Sequence, residues 1–509
     1  KYPSFEDLAQ AYYIRAKAFE ELDKKEPARR DYLHLVKNHP EAPEVPNAYM
    51  SLAEFAIEKG DHPLAITYLV QVEKLPNDPH FPFALYKLAW AHYNLRDIPK
   101  ALSYAERQIA YYNDRFPTQK GQPVDFSPNG DLALRDNTLL DVTTFYLEGL
   151  EQKLNQYRTT EALAYFKKLE SGPMFGKMIL KYAKLLRSHE HEKDLISWKD
   201  QILLSETERS ESLDVLMIAY EHQRNKRLYT SMIDSAKDMV KLYALHKTYE
   251  AFPKAQKLLL ESAEALQKAI VSHKEAEESF AMSKTLATLY DSFTRIVEEA
   301  DPRIPRVHYN LAETLFTIKD FTGSTEHYRW VVEHGTWSKK HGNYKTTLDA
   351  SLKAIGSRYE VLRQKSLIPK DLTAVSFQKN SDQQLDPLLQ RWVDWIDTHA
   401  KEADDKKPLE NFVFESNRAL YAGNHISTAV TRFKTFAKKY PKSTFAVPSA
   451  SIVIDTAIST GDWAQTIEQA EDFGEIEDWK KTEFSKRLYV ISADASYKIL
   501  EREYREKHF

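Results

Sequence analysis

Apolar residues recur three and four positions apart along most of the chain, the spacing that gathers them on one face of an α-helix. Three early segments share more than this period. Ala11–Pro40 reads AYYIRAKAFEELDKKEPARRDYLHLVKNHP, with Ala16 three residues before Phe19, Ala28 nine after it, Tyr32 four further on and Pro40 eight beyond that. Ala48–Pro76 repeats the register with Leu52-Ala53, a turn at Gly60-Asp61, Ala65 and Leu69. Ala84–Tyr112 follows with Leu88-Ala89, Tyr93, Asp97, Ala101 and Ala105. The pattern predicts three helical hairpins. Ala16, Ala53 and Ala89 fall on the first helix of each and Ala28, Ala65 and Ala101 on the second. Small side chains at both places let the paired helices approach closely. Tyr32 and Leu69 are placed to fill the gap towards the next hairpin. Pro40, Pro76 and Pro117 sit where second helices should stop, because a residue without an N–H cannot continue the ladder.

The register returns late in the chain. Val307–Gly335 carries Leu311-Ala312, Phe316, Asp320 and Tyr328, with Ser324 in place of the second alanine. Phe412–Pro441 carries Leu420, Ala429, Phe433 and Pro441, with Asn417 at the first small position. A weaker match surrounds Gly461-Asp462. Between 131 and 300 the helical period persists without the register, so degenerate hairpins in the same stack are expected, ending in longer helices over 254–273 and 278–300. Three stretches read as connectors: Thr118–Asp131, rich in Gly and Pro, Leu367–Pro387, and the charge run Lys401–Pro408. The first two could instead be functional insertions, since loops of that length are uncommon without a role. The segment SKRLYVISADASYKILEREYREKHF is expected to form a first helix, turn at Arg502–Tyr504 and begin a second. A hairpin without its second helix would expose an apolar stripe, so a fragment of a longer repeat protein is expected.

These boundaries give N-terminal repeats at 1–117, degenerate hairpins at 131–300, further hairpins at 302–366 and truncated C-terminal repeats at 388–509. The repeated segments resemble the tetratricopeptide repeat, a two-helix unit of about 34 residues. The resemblance implies an all-α fold, a right-handed α-solenoid of tetratricopeptide and degenerate tetratricopeptide-like hairpins. It also implies that the first helices line a concave groove open to other proteins or peptide segments. Carried over, the first repeat presents Gln10, Tyr13, Lys17, Glu20 and Glu21; the second Asn47, Met50, Glu54, Ile57 and Glu58; the third Phe83, Tyr86, Trp90, Tyr93 and Asn94. Some members grip a chaperone's C-terminal carboxylate with lysines and asparagines. The matching positions are Tyr13, Lys17, Ser51, Phe83 and Lys87, and without the asparagines that mode is rejected. What remains is an aromatic shelf of Phe83, Tyr86, Trp90 and Tyr93 beside Glu54 and Glu58, offering large contact area at low entropy cost. The same rings could instead pack inside the superhelix against the next hairpin. Phe414, Arg418 and Tyr421 form a second candidate shelf. The stretch ALYKLAWAHYNLRDIPKAL is similar to repeats of envelope-associated tetratricopeptide proteins of Gram-negative bacteria, gliding-motility and predatory deltaproteobacteria among them. That similarity implies a periplasmic or outer-membrane-linked adaptor with peptidoglycan or motility partners.

Composition narrows the function further. Only 13 of 509 residues are glycine, which suits helices joined by short turns better than sheets joined by tight ones. The formal net charge is −4 with both signs dispersed, so the basic face that nucleic-acid binding needs is missing. No run approaches the ~18 apolar residues of a membrane span, and direct membrane insertion is not expected. The absence of cysteine excludes thiolate zinc sites, thiol catalysis and disulfides. Oxidising compartments penalise stray thiols, so the cell envelope is the expected location, with the cytoplasm as alternative. The opening Lys1-Tyr2-Pro3 shows neither an initiator Met nor a signal peptide and reads as a processed start.

No G-x-G pair exists, so dinucleotide and kinase-type phosphate loops are absent. The run from Gly172 to Met178 is one residue short of a phosphate loop and lacks the magnesium-holding hydroxyl, so Pro173 reads as a helix start. Nucleophile elbows and H-E-x-x-H pairs are also absent. His189 and His191 alternate, and alternate residues point apart on a helix, so that stretch reads as a solvated helix end. Glu261-Ser262, Glu278-Ser279 and Glu415-Ser416 match the glutamate–serine pair of lytic transglycosylases, which also carry α-superhelices. All three fall inside helical patterns with no lysozyme-like domain after them. The expectation is a non-catalytic scaffold that assembles a multiprotein complex and needs no metal or cofactor. The alternatives are a cytoplasmic adaptor or regulatory subunit, and the superhelical part of a peptidoglycan-acting enzyme.

Overall fold

The computed structural model describes residues 7–115, 131–272, 276–334, 344–368, 385–402 and 409–508. Pro117 and most of the three connectors, Thr118–Asp131, Leu367–Pro387 and Lys401–Pro408, lie outside these described residues. The chain divides into two compact units, Lys1–Lys257 and Leu258–Phe509. Among the described residues there are 23 α-helices and no strand.

In the first unit the helices pair as α1 (Leu8–Glu21) with α2 (Lys25–Asn38), α3 (Val45–Glu58) with α4 (His62–Glu73), and α5 (Phe81–Asn94) with α6 (Ile98–Arg115). Then come α7 (Asp131–Glu151) with α8 (Thr159–Leu169), α9 (Pro173–Ser188) with α10 (Glu192–Ser205), and α11 (Glu211–Asn225) with α12 (Tyr229–Leu245). The division between units falls inside α13 (Phe252–Ser272). The second unit continues with α14 (Ala276–Ile296), α15 (Ile304–Thr317), α16 (Phe321–Glu333), α17 (Tyr344–Gln364) and α18 (Pro387–Glu402). It closes with α19 (Glu410–Ala422), α20 (Ile426–Lys439), α21 (Ala446–Ser459), α22 (Trp463–Gly474) and α23 (Glu483–His508). Successive helices pack on one another from α1 to α12 and from α14 to α23, so each unit is an α-solenoid of hairpins in sequence order.

The hairpins share one turn. Asp23, Gly60, Arg96, Lys153, Glu190, Arg227, Lys319, Ser366, Asn424 and Gly461 all have positive φ. At each, that residue's N–H bonds back three residues and the next N–H bonds back five, as in Gly60 to Ile57 and Asp61 to Ala56. This is the Schellman arrangement, which satisfies the last carbonyls of the first helix. At Gly60, Lys319 and Gly461 the following aspartate then caps the second helix: Asp61 accepts from Leu64 N–H, Asp320 from Gly323 and Asp462 from Gln465.

The small positions behave as their spacing predicts. Ala16, Ala53, Ala89, Ala28, Ala65 and Ala101 are all 0% exposed. Tyr32 and Leu69 are fully buried between hairpins. Ser324 replaces an alanine and resolves its hydroxyl by donating to Ala312 O at 2.9 Å. Asn417 accepts from Arg432 Nε at 2.8 Å, and Arg432 in turn forks onto Asp397 at 2.6 and 2.7 Å. The degenerate hairpins fill their layers differently. Tyr146, Phe166, Tyr182 and Trp198 are buried in an edge-to-face series with centroids 4.9–5.3 Å apart. Seven residues before the turns at Lys153 and Arg227, where Ala53 precedes Gly60, stand Tyr146 and Tyr220, while Ala183 keeps the alanine before Glu190, so the register is broken from one hairpin to the next.

The C-terminal segment departs from expectation. There is no turn at Arg502–Tyr504, because α23 runs unbroken from Glu483 to His508. Leu488 and Ala495 are buried, while Tyr489, Tyr497 and Leu500 are well exposed. No glycine or proline interrupts the segment, so nothing in it forces a break.

Candidate functional site

The aromatic shelf stands on α5. Phe81-Pro82 opens the helix, and Pro at its start supplies the fixed φ that a first turn needs. One face, with Ala84, Leu85, Leu88 and Ala89, is buried in the hairpin. The other carries Phe83, Tyr86, Lys87, Trp90, Tyr93 and Asn94.

These side chains divide between the two readings. Trp90 meets Phe145 of α7 edge-on at 5.1 Å, and Tyr93 lies 4.9 Å from the same ring. Both therefore pack largely against the following hairpin. Phe83 faces outward and is 40% exposed. Tyr86 Oη and Trp90 Nε1 both donate to Asp141 Oδ2, each at 3.1 Å. Lys181 of α9 stands 3.6 Å from the other carboxylate oxygen and donates to Leu140 O at 2.9 Å. On the opposite side Lys87 pairs with Glu54 of α3 at 3.0 Å. Asn94 is exposed and donates to Trp90 O of its own helix. Four successive first helices are thus laced by polar bonds that orient the rings. Burial, and then the Asp141 charge, push the Tyr86 hydroxyl pKa up. Burial and then Glu148 do the same for Tyr93. Both hydroxyls stay neutral donors.

The other expected positions are less open. Tyr13 is half-buried with its ring 6.2 Å from Tyr32. Asn47 is half-buried, and Glu58 is exposed and paired with Lys25. Met50 is a core residue packed with Ala53 and Leu69 rather than a groove residue. The second shelf is likewise not a surface. Phe414 stacks on Phe445 at 4.9 Å, and Tyr421 bonds Thr456 at 2.8 Å. Both are buried because α20 and α21 cover that side of α19. Arg418 is half-buried on Glu415 at 2.9 Å. Asp141 and Lys181, which organise the first shelf, lie where the register is lost, and no spacing marks them.

His189 and His191 do not diverge. α9 ends at Ser188 and Glu190 takes φ 59°, so both imidazoles turn onto Glu151 Oε1, at 2.8 and 3.1 Å. Among the described residues no group of three or more His, Asp or Glu is arranged to hold a metal. Pro173 starts α9, as its place in the sequence predicts. No described helix is long and apolar enough to cross a membrane.

Family models described as tetratricopeptide repeat match residues 13–80 and 83–112. The hairpins that carry the shelf are therefore tetratricopeptide repeats. No curated protein matches the chain. Among solved structures, the crystal structure of yeast Tom70 is similar at 11% identity, covering 98% of this chain and 97% of that one, with TM-score 0.21. Naa15/Naa10 bound to HypK-THB is similar at 13% identity, covering 96% and 77%, with TM-score 0.28. A human IFIT1 dimer with m7Gppp-AAAA is similar at 13% identity, covering 85% and 90%, with TM-score 0.18.

Proposed function

From the tetratricopeptide repeats at 13–112, we propose that the chain is a protein-binding scaffold without chemistry of its own. A partner peptide or protein docks on the α3–α5–α7 surface around Phe83. The observation that carries this reading is the exposed Phe83 ring beside Tyr86 and Lys87. All three stand on a helix whose orientation is held by the Glu54–Lys87 pair and the bonds to Asp141. Rigid aromatic anchors with little entropy left to lose are what interface hot spots require. Tyr13, Asn47 and Glu54 extend the same surface towards the first repeat.

The test is affinity capture with the wild-type chain and with a Phe83→Asp, Lys87→Glu double variant, after circular dichroism shows equal helicity. Specific loss of one or more captured proteins supports the docking surface. An unchanged set rejects it. The cysteine-free composition favours the cell envelope as the place where this scaffold works. Fractionation of source cells, with the chain appearing in the soluble cytoplasm, rejects that location.

A further inference from the structure

In the second unit, three arginines from three successive helices converge on one cavity. Arg329 of α16, Arg358 of α17 and Arg391 of α18 line it, together with Val332, Trp392 and Trp395. Its volume is about 350 Å³, at the low end of small-molecule pockets (~300–1,000 Å³). Glu333 also borders it and is paired with Arg329 at 2.6 Å. Among the described residues no carboxylate pairs with Arg358 or Arg391. Glu326 is the acid whose charge reaches Arg358, and it forms no ion pair with it.

This arrangement is unfavourable as it stands. Half-burial, and after it the charges of Arg329 and Arg391, hold the Arg358 guanidinium below its ordinary pKa. A guanidinium is always charged in proteins, so the repulsion stays unless an anion enters. Arg432 by contrast forks onto Asp397, and the buried Arg135 donates to Glu170 and Asp136. The three cavity arginines share one acid. Guanidinium forks match the oxygens of phosphate and carboxylate. The indoles complete the walls. Trp392 spends its N–H on Ile355 O at 3.0 Å, so it offers the cavity only its apolar ring.

We propose that this cavity is an oxyanion-binding site, taking a phosphate or carboxylate group between Arg329, Arg358 and Arg391. The site is separate from the Phe83 surface and does not depend on the scaffold reading.

Isothermal titration of the full chain at constant ionic strength tests it, with inorganic phosphate as the first probe. Three capped peptides, identical but for a central phosphoserine, glutamate or serine, form the other arms. Saturable binding of phosphate is expected, weakened at least tenfold by Arg358→Gln with Arg391→Gln. Substitution to lysine at both positions should restore only part, because charge returns without the fork. A preference for the phosphoserine peptide identifies a phosphate source, and one for the glutamate peptide a carboxylate source. If the double variant loses helicity, the exposed Arg391→Gln alone serves. The free variant should melt no lower than wild type, since it removes repulsion. Absence of saturable binding of any acidic probe, or binding unchanged by the glutamine variants, overturns the proposal.

Discussion

Asp141 is the acceptor on which Tyr86 and Trp90 both depend. Replacing it with alanine leaves two half-buried donors to water, and each lost bond costs about 0.5–1.5 kcal/mol. Asp141→Ala is therefore expected to lower urea stability by about 1–3 kcal/mol, and Asp141→Asn by less, because its carbonyl still accepts. A second residue-scale effect involves His308 and His327, whose Nδ1 atoms lie 2.8 Å apart. The His308 ring also stacks on Trp330 at 4.0 Å. Burial, followed by His327 and His334, lowers the His308 pKa from 6.5 to about 3. Its folded-state pKa lies below the unfolded one, so between those values the unfolded chain binds the proton that the folded chain refuses. Stability therefore falls as pH drops from 6.5 towards 3, by about 1.4 kcal/mol per unit for this group. His308→Phe keeps the ring and removes the proton site. Its stability measured against wild type should improve steadily from pH 6.5 to 4.5, and a constant difference would contradict the assignment.

At the scale of helices and turns, the alanine notches set the spacing. Ala53→Leu forces apart helices that meet at a fully buried contact, an overpacking that costs about 1–3 kcal/mol. Ala18→Leu, on the exposed side of α1, should change stability by less than about 0.5 kcal/mol. The turns differ in which residue bears the left-handed backbone. Gly60, at φ 73°, has open space around its missing Cβ, so Gly60→Ala costs only the conformational penalty of about 1–2 kcal/mol. Lys153→Gly, at φ 56°, should relieve a similar penalty, which a thermal melt will register as a rise. These devices explain what could be read from the chain. Hairpins over 11–112 are legible because alanine at two fixed places leaves a spacing mark. Those over 131–300 are legible only as helices, since Tyr146, Phe166, Tyr182 and Trp198 fill layers in ways that many ring combinations would. The turns are hidden because most use Asp, Arg, Lys, Glu, Ser or Asn where glycine would advertise them. On the candidate surface, the spacing located Phe83 and Trp90 correctly on one helix. It could not tell which ring a later helix would cover, and it misplaced Met50, Phe414 and Tyr421, whose neighbours are distant in sequence.

On the scale of the whole chain, each of the two units has its own internal packing. Stacked repeats couple mainly to their neighbours, so damage to one unit stays there. Calorimetry of Ala53→Leu and of Ala450→Leu, fully buried in α21, should shift different components of the heat-absorption profile; an identical shift of the whole profile in both would show a single cooperative block. The recurring turn bears on heredity as well. Lys153, Glu190 and Arg227 are evenly spaced and adopt the same backbone conformation. A duplication or deletion whose ends fall at two neighbouring ones rejoins the backbone as it was before, one module longer or shorter. Such a gene can alter the length of its product in whole steps and leave every remaining junction intact.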